Sequence, residues 1–272
     1  MTRRVGLIGF PVEHSLSPAF QQVAFDALGL DVLYELWPTP PDEMPERMDG
    51  LRAPDVLGAN VTVPHKQRAF DLVDVVSELA RRAGAVNTIV KEGGQLRGEN
   101  TDFAGFLAPL RDRGVSLTTM RVALLGAGGA ARAVAVALQS AGCKYVLIAN
   151  RTAERAASLV AELGDGLDAC GLDELDLSRT DLLVNATSIG WEGEQLPVSA
   201  EAVDRLPASA LVYDLTYRET PLLRLASDRG NSTLDGLEML VSQGAESFRL
   251  WTGQEPPLAL MLDTARAAAD AR

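Results

Sequence analysis

A run of six small residues, Gly126-Ala127-Gly128-Gly129-Ala130-Ala131, constrains the fold of this chain more than any other feature. An apolar segment at 122–125 precedes it, and a pattern of helical period at 130–141 follows it, so it joins a strand to a helix. Gly126 permits a tight turn, Gly128 lets the backbone approach a pyrophosphate, and Ala131 allows the helix to pack closely on the strand. The free N–H groups of the helix N-terminus favour an anion. The spacing and its context together predict a dinucleotide site rather than a turn without a ligand.

The end of the next predicted strand, at 145–149, distinguishes between two dinucleotides. An NAD site usually offers Asp or Glu there to the ribose hydroxyls, whereas an NADP site offers Arg to the 2′-phosphate. This chain has Asn150-Arg151-Thr152 at that point, with Arg155 one turn further on. We therefore predict NADP as the cofactor. The alternative is a solvated Arg at the start of an exposed helix that Thr152 caps.

Short apolar segments alternate with helical patterns along most of the chain, which predicts an α/β protein built from βαβ units. In the first half we expect strands at 5–8, 33–37, 56–61 and 86–91 in a parallel sheet. A polar stretch at 116–120 marks a domain boundary. Beyond it, helices at 130–141 and 152–163 and strands at 122–125, 145–149, 182–185 and 211–214 predict a doubly wound sheet. Two helices follow in 236–272, separated by Gly253 and a pair of prolines.

Three polar clusters of the first half follow predicted strands, where open α/β sheets place their ligands. The first contains Ser15 and Ser17, whose hydroxyls can bind a carboxylate at the start of a helix, although ordinary capping by Ser17 also explains it. That helix would close at Gly29. The second cluster ends in Lys66, and the third ends in Asp102. Each alone is explained by a surface charge or a helix cap, but together they supply the proton transfer that alcohol oxidation requires.

The composition limits the classes of function. The 272 residues include 25 Lys or Arg and 37 Asp or Glu, which gives a net charge of −12. This balance argues against binding to nucleic acid or to an anionic membrane. Cys143 and Cys170 are far apart and outside any CxxC spacing, so we expect neither a metal site nor disulfides. No apolar run reaches the ~20 residues of a membrane helix, and no signal peptide is evident, so we expect a cytoplasmic protein.

The motifs as a set closely resemble those of shikimate dehydrogenases, from about residue 5 to residue 260. In order they are His14-Ser15-Leu16-Ser17-Pro18, Asn60-Val61-Thr62-Val63-Pro64-His65-Lys66, Gly84-Ala85-Val86-Asn87-Thr88, Asn100-Thr101-Asp102, the glycine turn, Asn150-Arg151-Thr152, Asn185-Ala186-Thr187-Ser188, Asp235-Gly236 and Gln243. The resemblance implies an N-terminal substrate domain, completed by C-terminal helices, and a central NADP domain of Rossmann type. We expect the first domain at 1–115 with 237–272 and the second at 116–236. The implied reaction interconverts 3-dehydroshikimate and shikimate.

The resemblance also implies the roles of individual residues. Lys66 and Asp102 would form the catalytic pair, and Ser15 and Ser17 would hold the substrate carboxylate. Asn87 would hold ring hydroxyls together with Asp102. The rest of the substrate pocket would consist of Asn60, Thr62, Tyr217 and Gln243. The cofactor residues would be Gly126, Ala127, Gly128, Gly129, Ala130, Asn150, Arg151, Thr152, Arg155, Thr187 and Gly236.

Three departures from the family pattern bear on the substrate. Phe103 follows Asp102, where the family normally has Gly, and Trp191 stands where a Met near the nicotinamide is usual. The segment after Tyr217 is short and lacks an intervening Pro. Two alternatives therefore stay open: a paralogue acting on quinate or a related cyclic polyhydroxy carboxylate, and a non-catalytic NADP-binding sensor. The pair of Lys66 and Asp102 counts against the sensor. We expect a monomer or homodimer.

Overall fold

The computed structural model describes residues 2–271 of the 272-residue chain. The chain divides into two compact units, one formed by residues 1–105 and 241–272 and the other by residues 106–240. Both divisions fall inside helices, Asp102–Asp112 and Leu237–Thr252. The boundaries expected from the sequence lie just beyond the end of the first helix and at the start of the second.

The first unit contains a mixed six-stranded sheet. Its elements are β1 (Arg3–Gly9), α1 (Ser17–Ala27), β2 (Val32–Pro38), α2 (Met44–Gly50), β3 (Val56–Val61), α3 (Lys66–Leu72), β4 (Val75–Val76), α4 (Glu78–Ala83), β5 (Thr88–Glu92), β6 (Gln95–Glu99) and the start of α5 (Asp102–Asp112). The strand order is β2-β1-β3-β5-β6-β4. Strands β1, β2 and β3 are parallel, as predicted.

The prediction of a wholly parallel sheet in the first half is wrong, because β5 runs antiparallel to both β3 and β6. Strands β5 and β6 form a hairpin whose turn contains Gly93 and Gly94, both with positive φ. Such a turn reverses the chain within a few residues and needs no crossover helix. The strands that were predicted do form, at the places expected within about three residues.

The second unit contains a six-stranded sheet that is parallel throughout, as a doubly wound fold requires. Its elements are β7 (Arg121–Leu125), α6 (Gly129–Ser140), β8 (Tyr145–Asn150), α7 (Ala153–Leu163), β9 (Leu167–Gly171), β10 (Leu182–Asn185), α8 (Ala200–Val203), β11 (Leu211–Asp214), α9 (Pro221–Asp228) and β12 (Ser232–Leu234). The strands are ordered β12-β11-β10-β7-β8-β9, so that the chain adds strands on one side of β7 and then on the other, and the switch lies between β10 and β7. Ligands of such sheets bind outside the carboxyl ends of the strands at that switch.

The last two helices, α10 (Leu237–Thr252) and α11 (Leu258–Asp270), carry the chain back to the first unit. Phe248 of α10 packs against Phe25 of α1 with ring centroids 4.8 Å apart. Trp251 donates from its indole N–H to the carbonyl of Ile89 in β5 at 2.9 Å. These contacts bury the apolar face of α10, which the sequence pattern alone did not place. Within residues 2–271 no helix is long and apolar enough to cross a membrane.

Candidate active site

Lys66 and Asp102 form an ion pair in the first unit, with Lys66 Nζ 2.8 Å from Asp102 Oδ2. They begin helices α3 and α5 respectively. The Lys66 side chain is one-third exposed and that of Asp102 is 14% exposed, so the pair is open to a ligand while largely shielded from bulk water. The carboxylate of Asp102 accepts hydrogen bonds from the side chains of Lys66 and Asn87. A carboxylate that merely caps a helix would instead accept from backbone N–H groups of that helix.

The amide of Asn87 fixes the orientation of that carboxylate. Its Nδ2 donates to Asp102 Oδ1 at 2.8 Å, and its Oδ1 accepts the backbone N–H of Thr101 at 2.8 Å. Because Oδ1 accepts a backbone proton, the amide cannot flip without losing both contacts. The side chain of Gln243 lies 3.4 Å from Asn87 Nδ2, so α10 contributes to the same cluster.

Asn60 at the end of β3 is part of a second, buried layer of hydrogen bonds. Its Oδ1 accepts the phenol of Tyr34 at 2.8 Å, and its Nδ2 donates to Ser247 Oγ at 3.0 Å and to Thr88 Oγ1 at 3.2 Å. Burial raises the pKa of Tyr34, which keeps its phenol a neutral donor. The sequence analysis missed Tyr34 and Ser247. They belong to segments distant along the chain and carry no motif of their own.

Ser15 and Ser17 lie at the start of α1, where Ser15 Oγ accepts the backbone N–H of Ser17 at 3.1 Å. The prediction that Ser17 caps this helix is wrong, because Leu16 occupies the cap position and no side chain caps the helix. Ser17 is instead the first helical residue, and its hydroxyl hydrogen-bonds to Tyr34. Thr62, which follows β3, is half-buried, and its backbone N–H donates to Ile8 at 2.8 Å.

His65 immediately precedes Lys66 and is buried. Its Nε2 lies 2.6 Å from the carbonyl oxygen of Thr39, and its own backbone N–H donates to Thr62. A ring held in this way anchors the turn that carries Lys66.

The glycine turn of the second unit has the geometry that its sequence predicts. Gly126 has φ +107°, a conformation that L side chains rarely adopt, and a Cβ there would lie 3.1 Å from Thr187 Cγ2. Gly128 precedes α6 in extended conformation, and a Cβ on it would meet nothing within 4 Å. The first-turn N–H groups of α6 therefore border open space, which suits a pyrophosphate.

A cavity of about 360 Å³ lies at the carboxyl ends of β7, β8 and β10. Six of the predicted cofactor residues line it: Gly126, Asn150, Arg151, Thr152, Arg155 and Thr187. Arg151 and Arg155 are exposed, and among residues 2–271 neither forms an ion pair. No carboxylate is among the lining residues, so this donor set fits a phosphate group.

Thr152 occupies the cap position of α7, but its side chain makes no capping hydrogen bond. Thr152 therefore holds the cap position that the alternative gives it, but it does not cap the helix through its hydroxyl. Asn150 Nδ2 donates to the carbonyl of Thr152 at 2.9 Å, which fixes the turn between β8 and α7. The turn thus presents a guanidinium and a hydroxyl from adjacent residues.

Gly236 is buried and does not line this cavity. Its backbone N–H donates to Thr216 at 2.9 Å, and a Cβ on it would collide with the carbonyl of Leu215. Close backbone packing therefore explains a glycine at this position. Tyr217 also belongs to the second unit, where its ring meets Trp191 edge-on with centroids 4.9 Å apart.

Three family profiles match successive parts of the chain. Residues 7–89 match the shikimate dehydrogenase substrate binding domain, residues 110–215 match shikimate / quinate 5-dehydrogenase, and residues 236–266 match the shikimate 5′-dehydrogenase C-terminal domain. The chain is also 44% identical over 272 residues to shikimate dehydrogenase (NADP(+)) of Moorella thermoacetica, covering 96% of this chain and 91% of that protein. The chain belongs to the shikimate dehydrogenase family.

Solved structures support the same family. Shikimate 5-dehydrogenase from Thermus thermophilus, in complex with NADP(H) and shikimate, is 43% identical and superposes with a TM-score of 0.90, covering 98% of this chain and 99% of that chain. Quinate dehydrogenase from Corynebacterium glutamicum, in complex with NAD, is 30% identical with the same TM-score, covering 98% of this chain and 99% of that chain. The fold of the shikimate dehydrogenase family thus accommodates more than one substrate and cofactor.

Two residues that depart from the usual shikimate dehydrogenase pattern have defined surroundings. Phe103 is only 4% exposed and belongs to the packed interior of the first unit. Trp191 is held between Tyr217 and Arg218, whose guanidinium carbon lies 4.6 Å from the centroid of its ring. A cation over an indole face is a favourable contact. The rings of Trp191 and Tyr217 therefore fix each other's orientation.

Proposed function

We propose that this protein catalyses the reversible, NADP-dependent oxidation of shikimate to 3-dehydroshikimate. The observation that carries the proposal is the Lys66–Asp102 pair, oriented by Asn87 within the unit that matches the substrate-binding profile. The relatives named as NADP-dependent shikimate dehydrogenases support the same assignment. The pathway is then the biosynthesis of aromatic amino acids.

The residues of the second unit fit NADP better than NAD. The open space over Gly128 and the first turn of α6 accommodate the pyrophosphate, while Arg151 and Thr152 would hold the 2′-phosphate. Asn150 leaves the site without the carboxylate that would repel a phosphate and favour a free ribose diol. Bound NADP supplies the acceptor and donor of the hydride.

Lys66 and Asp102 handle the proton of the reaction. The hydroxyl at C3 of shikimate loses its proton to the pair, and the hydride leaves the same carbon, so that the C–O single bond becomes a carbonyl. The balance is shikimate and NADP⁺ giving 3-dehydroshikimate, NADPH and one proton. In the reverse direction the protonated Lys66 donates to the forming hydroxyl, and Asp102 stabilises the charge of Lys66 between turnovers.

The remaining polar residues of the first unit would bind the substrate or orient the catalytic pair without transferring a proton themselves. Ser15 and Ser17 would bind the carboxylate through their hydroxyls at the start of α1. Asn60, Thr62, Asn87 and Gln243 would complete the pocket within the first unit, and Tyr217 stays a predicted substrate residue. The Asn60 layer beneath them, with Tyr34 and Ser247, would keep these side chains in fixed rotamers.

A quinate-type substrate is the second candidate, because a family member at 30% identity is a quinate dehydrogenase. Two Ser side chains at the carboxylate site suit the flat C1 region of shikimate, which lacks the additional hydroxyl of quinate.

We propose the cytoplasm as the location of the protein, because its two cysteines are both free thiols, as is usual in a reducing compartment. A monomer or homodimer stays a prediction.

The variant Lys66→Ala separates an enzyme from an NADP-binding sensor. We expect turnover of shikimate to fall by about 100-fold to 10,000-fold, the usual contribution of a general acid–base group. Binding of NADP, measured by titration, should be unchanged because Lys66 lies outside the dinucleotide cavity. A variant that kept most of its kcat would refute the catalytic role of Lys66.

A further inference from the structure

Asp214, the last residue of β11, is a fully buried carboxylate that the proposed reaction does not use. Among residues 2–271 no Lys, Arg or His forms an ion pair with it, although burying a charge without a counter-ion is costly. Burial accordingly raises the pKa of this carboxyl group.

Hydrogen-bond donors from the end of β10 and from the loop after β11 converge on this carboxylate, and the hydroxyl of Thr216 is one of them. Asn185 Nδ2 and Thr220 Oγ1 each donate to Oδ2 at 2.9 Å, and the backbone N–H of Thr216 donates to Oδ1 at 3.0 Å. All of these groups approach as donors, so the site requires an acceptor on both oxygens. A carboxylate meets that demand, whereas an amide of the same shape offers only one acceptor.

The contact with Asn185 connects Asp214 to the wall of the dinucleotide cavity. Asn185 Oδ1 accepts the backbone N–H of Thr187 at 3.1 Å and its hydroxyl at 2.7 Å, while Thr187 Oγ1 accepts the N–H of Ile189 at 3.2 Å. Thr187 and Ile189 both line the cavity. The rotamer of Asn185 therefore determines the shape of one wall of the cofactor site.

The contacts with Thr216 and Thr220 connect Asp214 to the loop that carries Tyr217. Thr216 immediately precedes Tyr217, and Thr220 caps α9 by accepting the N–H of Leu223 at 3.3 Å. The segment between them is thus fixed at both ends by the same carboxylate. Tyr217 in turn packs against Trp191, which closes the connection between the two loops.

We propose that Asp214 is a positioning residue that sets the loop of Thr187 and the loop of Tyr217 in register with each other. It acts through Asn185 on the cofactor wall and through Thr216 and Thr220 on the Tyr217 segment, without touching a ligand itself. This inference rests on the proposed function, because it assumes that Thr187 and Tyr217 serve NADP and the substrate. One buried carboxylate would thus align the cofactor part of the site with the Tyr217 segment.

The variant Asp214→Asn is the most direct test, with Asp228→Asn as its matched control. Asp228 is an exposed carboxylate at the end of α9, and the control makes the same chemical change without disturbing a buried network. In Asp214→Asn at least one buried donor loses its acceptor. We expect the Kd of NADP to rise and kcat/KM to fall by roughly tenfold to a hundredfold, measured well below the melting temperature. A variant with lower thermal stability but unchanged Kd and kcat/KM would overturn the proposal and leave a purely structural role.

A reciprocal exchange distinguishes positioning from general damage. In the double variant Asn185→Asp with Asp214→Asn, residue 185 supplies the acceptor for both Thr187 and residue 214, and the amide at 214 becomes the donor. We expect the exchange to recover at least part of the loss in NADP affinity that each single variant shows. Losses that simply add in the double variant would contradict the proposal.

If Asp214→Asn does not fold, a milder pair of variants provides the test. Thr220→Ala removes one donor to Asp214 together with a helix cap, and Ser199→Ala removes the cap of α8 without touching Asp214. Weakened NADP binding in Thr220→Ala but not in Ser199→Ala supports the proposal, and equal behaviour overturns it. Failure of the proposed function would appear separately, as a wild-type protein that does not turn over shikimate with NADP.

Discussion

Asn87 donates a 2.8 Å hydrogen bond to Oδ1 of Asp102, the oxygen opposite the one that pairs with Lys66. The carboxylate is therefore held from both sides, and its plane is set before any substrate arrives. Preorganisation of this kind lowers the cost of reaching the transition state.

We expect Asn87→Ala to lower kcat for shikimate by about tenfold to a hundredfold, because Asp102 loses its orienting donor. The effects of Asn87→Ala and Asp102→Asn should be far from additive, since both act through the same carboxylate. Steady-state kinetics of the two single variants and the double variant provide the measurement. Strictly additive losses would show that Asn87 acts on the substrate independently of Asp102.

The hydroxyls of Ser15 and Ser17 should affect binding more than chemistry, because the carboxylate lies away from the reacting carbon. Ser15→Ala and Ser17→Ala are expected to raise KM for shikimate by about tenfold each, the value of one hydrogen bond to a charged group, with kcat largely retained. Ser178→Ala, an exposed hydroxyl of the second unit, serves as the control. A collapsed kcat with unchanged KM would contradict the assignment.

Arg151 should determine the preference for NADP. We expect Arg151→Ala to raise KM for NADP by roughly tenfold to a hundredfold and to leave the weaker use of NAD almost unchanged, because NAD has no 2′-phosphate. Adding Asn150→Asp should shift the preference further toward NAD. Arg179→Ala, which removes an exposed Arg that does not line the cavity, controls for net charge. Equal losses with both cofactors would show that Arg151 does not contact the phosphate.

The ion pair between Arg52 and Asp74 gives a prediction about pH. The Arg52 guanidinium hydrogen-bonds Asp74 through both terminal nitrogens, at 2.8 and 2.9 Å, and lowers the pKa of that carboxyl to about 2, with help from the backbone N–H of Leu96. A pKa lowered in the folded state stabilises the fold above the unfolded value of about 3.9, and this contribution is lost as the pH falls toward 2.

We therefore expect Arg52→Met to raise the pKa of Asp74, as followed by NMR titration of its carboxyl carbon. The unfolding free energy of this variant should fall less steeply than that of the wild type between about pH 4 and about pH 2. Arg81→Met, which removes an exposed Arg paired with Glu78, should leave the titration of Asp74 unchanged. An Asp74 pKa that stays near 2 without Arg52 would refute this attribution.

The sequence predicted the second unit better than the first, for a physical reason. The glycine turn and the parallel strands around it are local patterns, and Gly126 has the positive φ that its motif predicts. The short edge strands β9 and β12 were missed because they carry little apolar pattern. In the first unit the hairpin of β5 and β6 turns on a pair of glycines, and the pattern of alternating strands and helices masked this reversal.

The candidate site shows the same division between local and distant information. Lys66 and Asp102 were predicted as a pair, and the structure brings them to 2.8 Å. Ser247 on α10 and Tyr34 on β2 meet at Asn60, yet nothing in their own segments indicates a polar contact. Contacts between distant parts of the chain depend on packing, which a single sequence does not reveal.

Initial rates with shikimate and with quinate, each against NADP and NAD at equal concentrations in one buffer, test the central claim most directly. We expect shikimate with NADP to give the highest kcat/KM, with NADP preferred over NAD by roughly tenfold to a thousandfold, since each 1.4 kcal/mol corresponds to a factor of ten. Equal use of NAD and NADP, or a higher kcat/KM with quinate than with shikimate, would contradict the account.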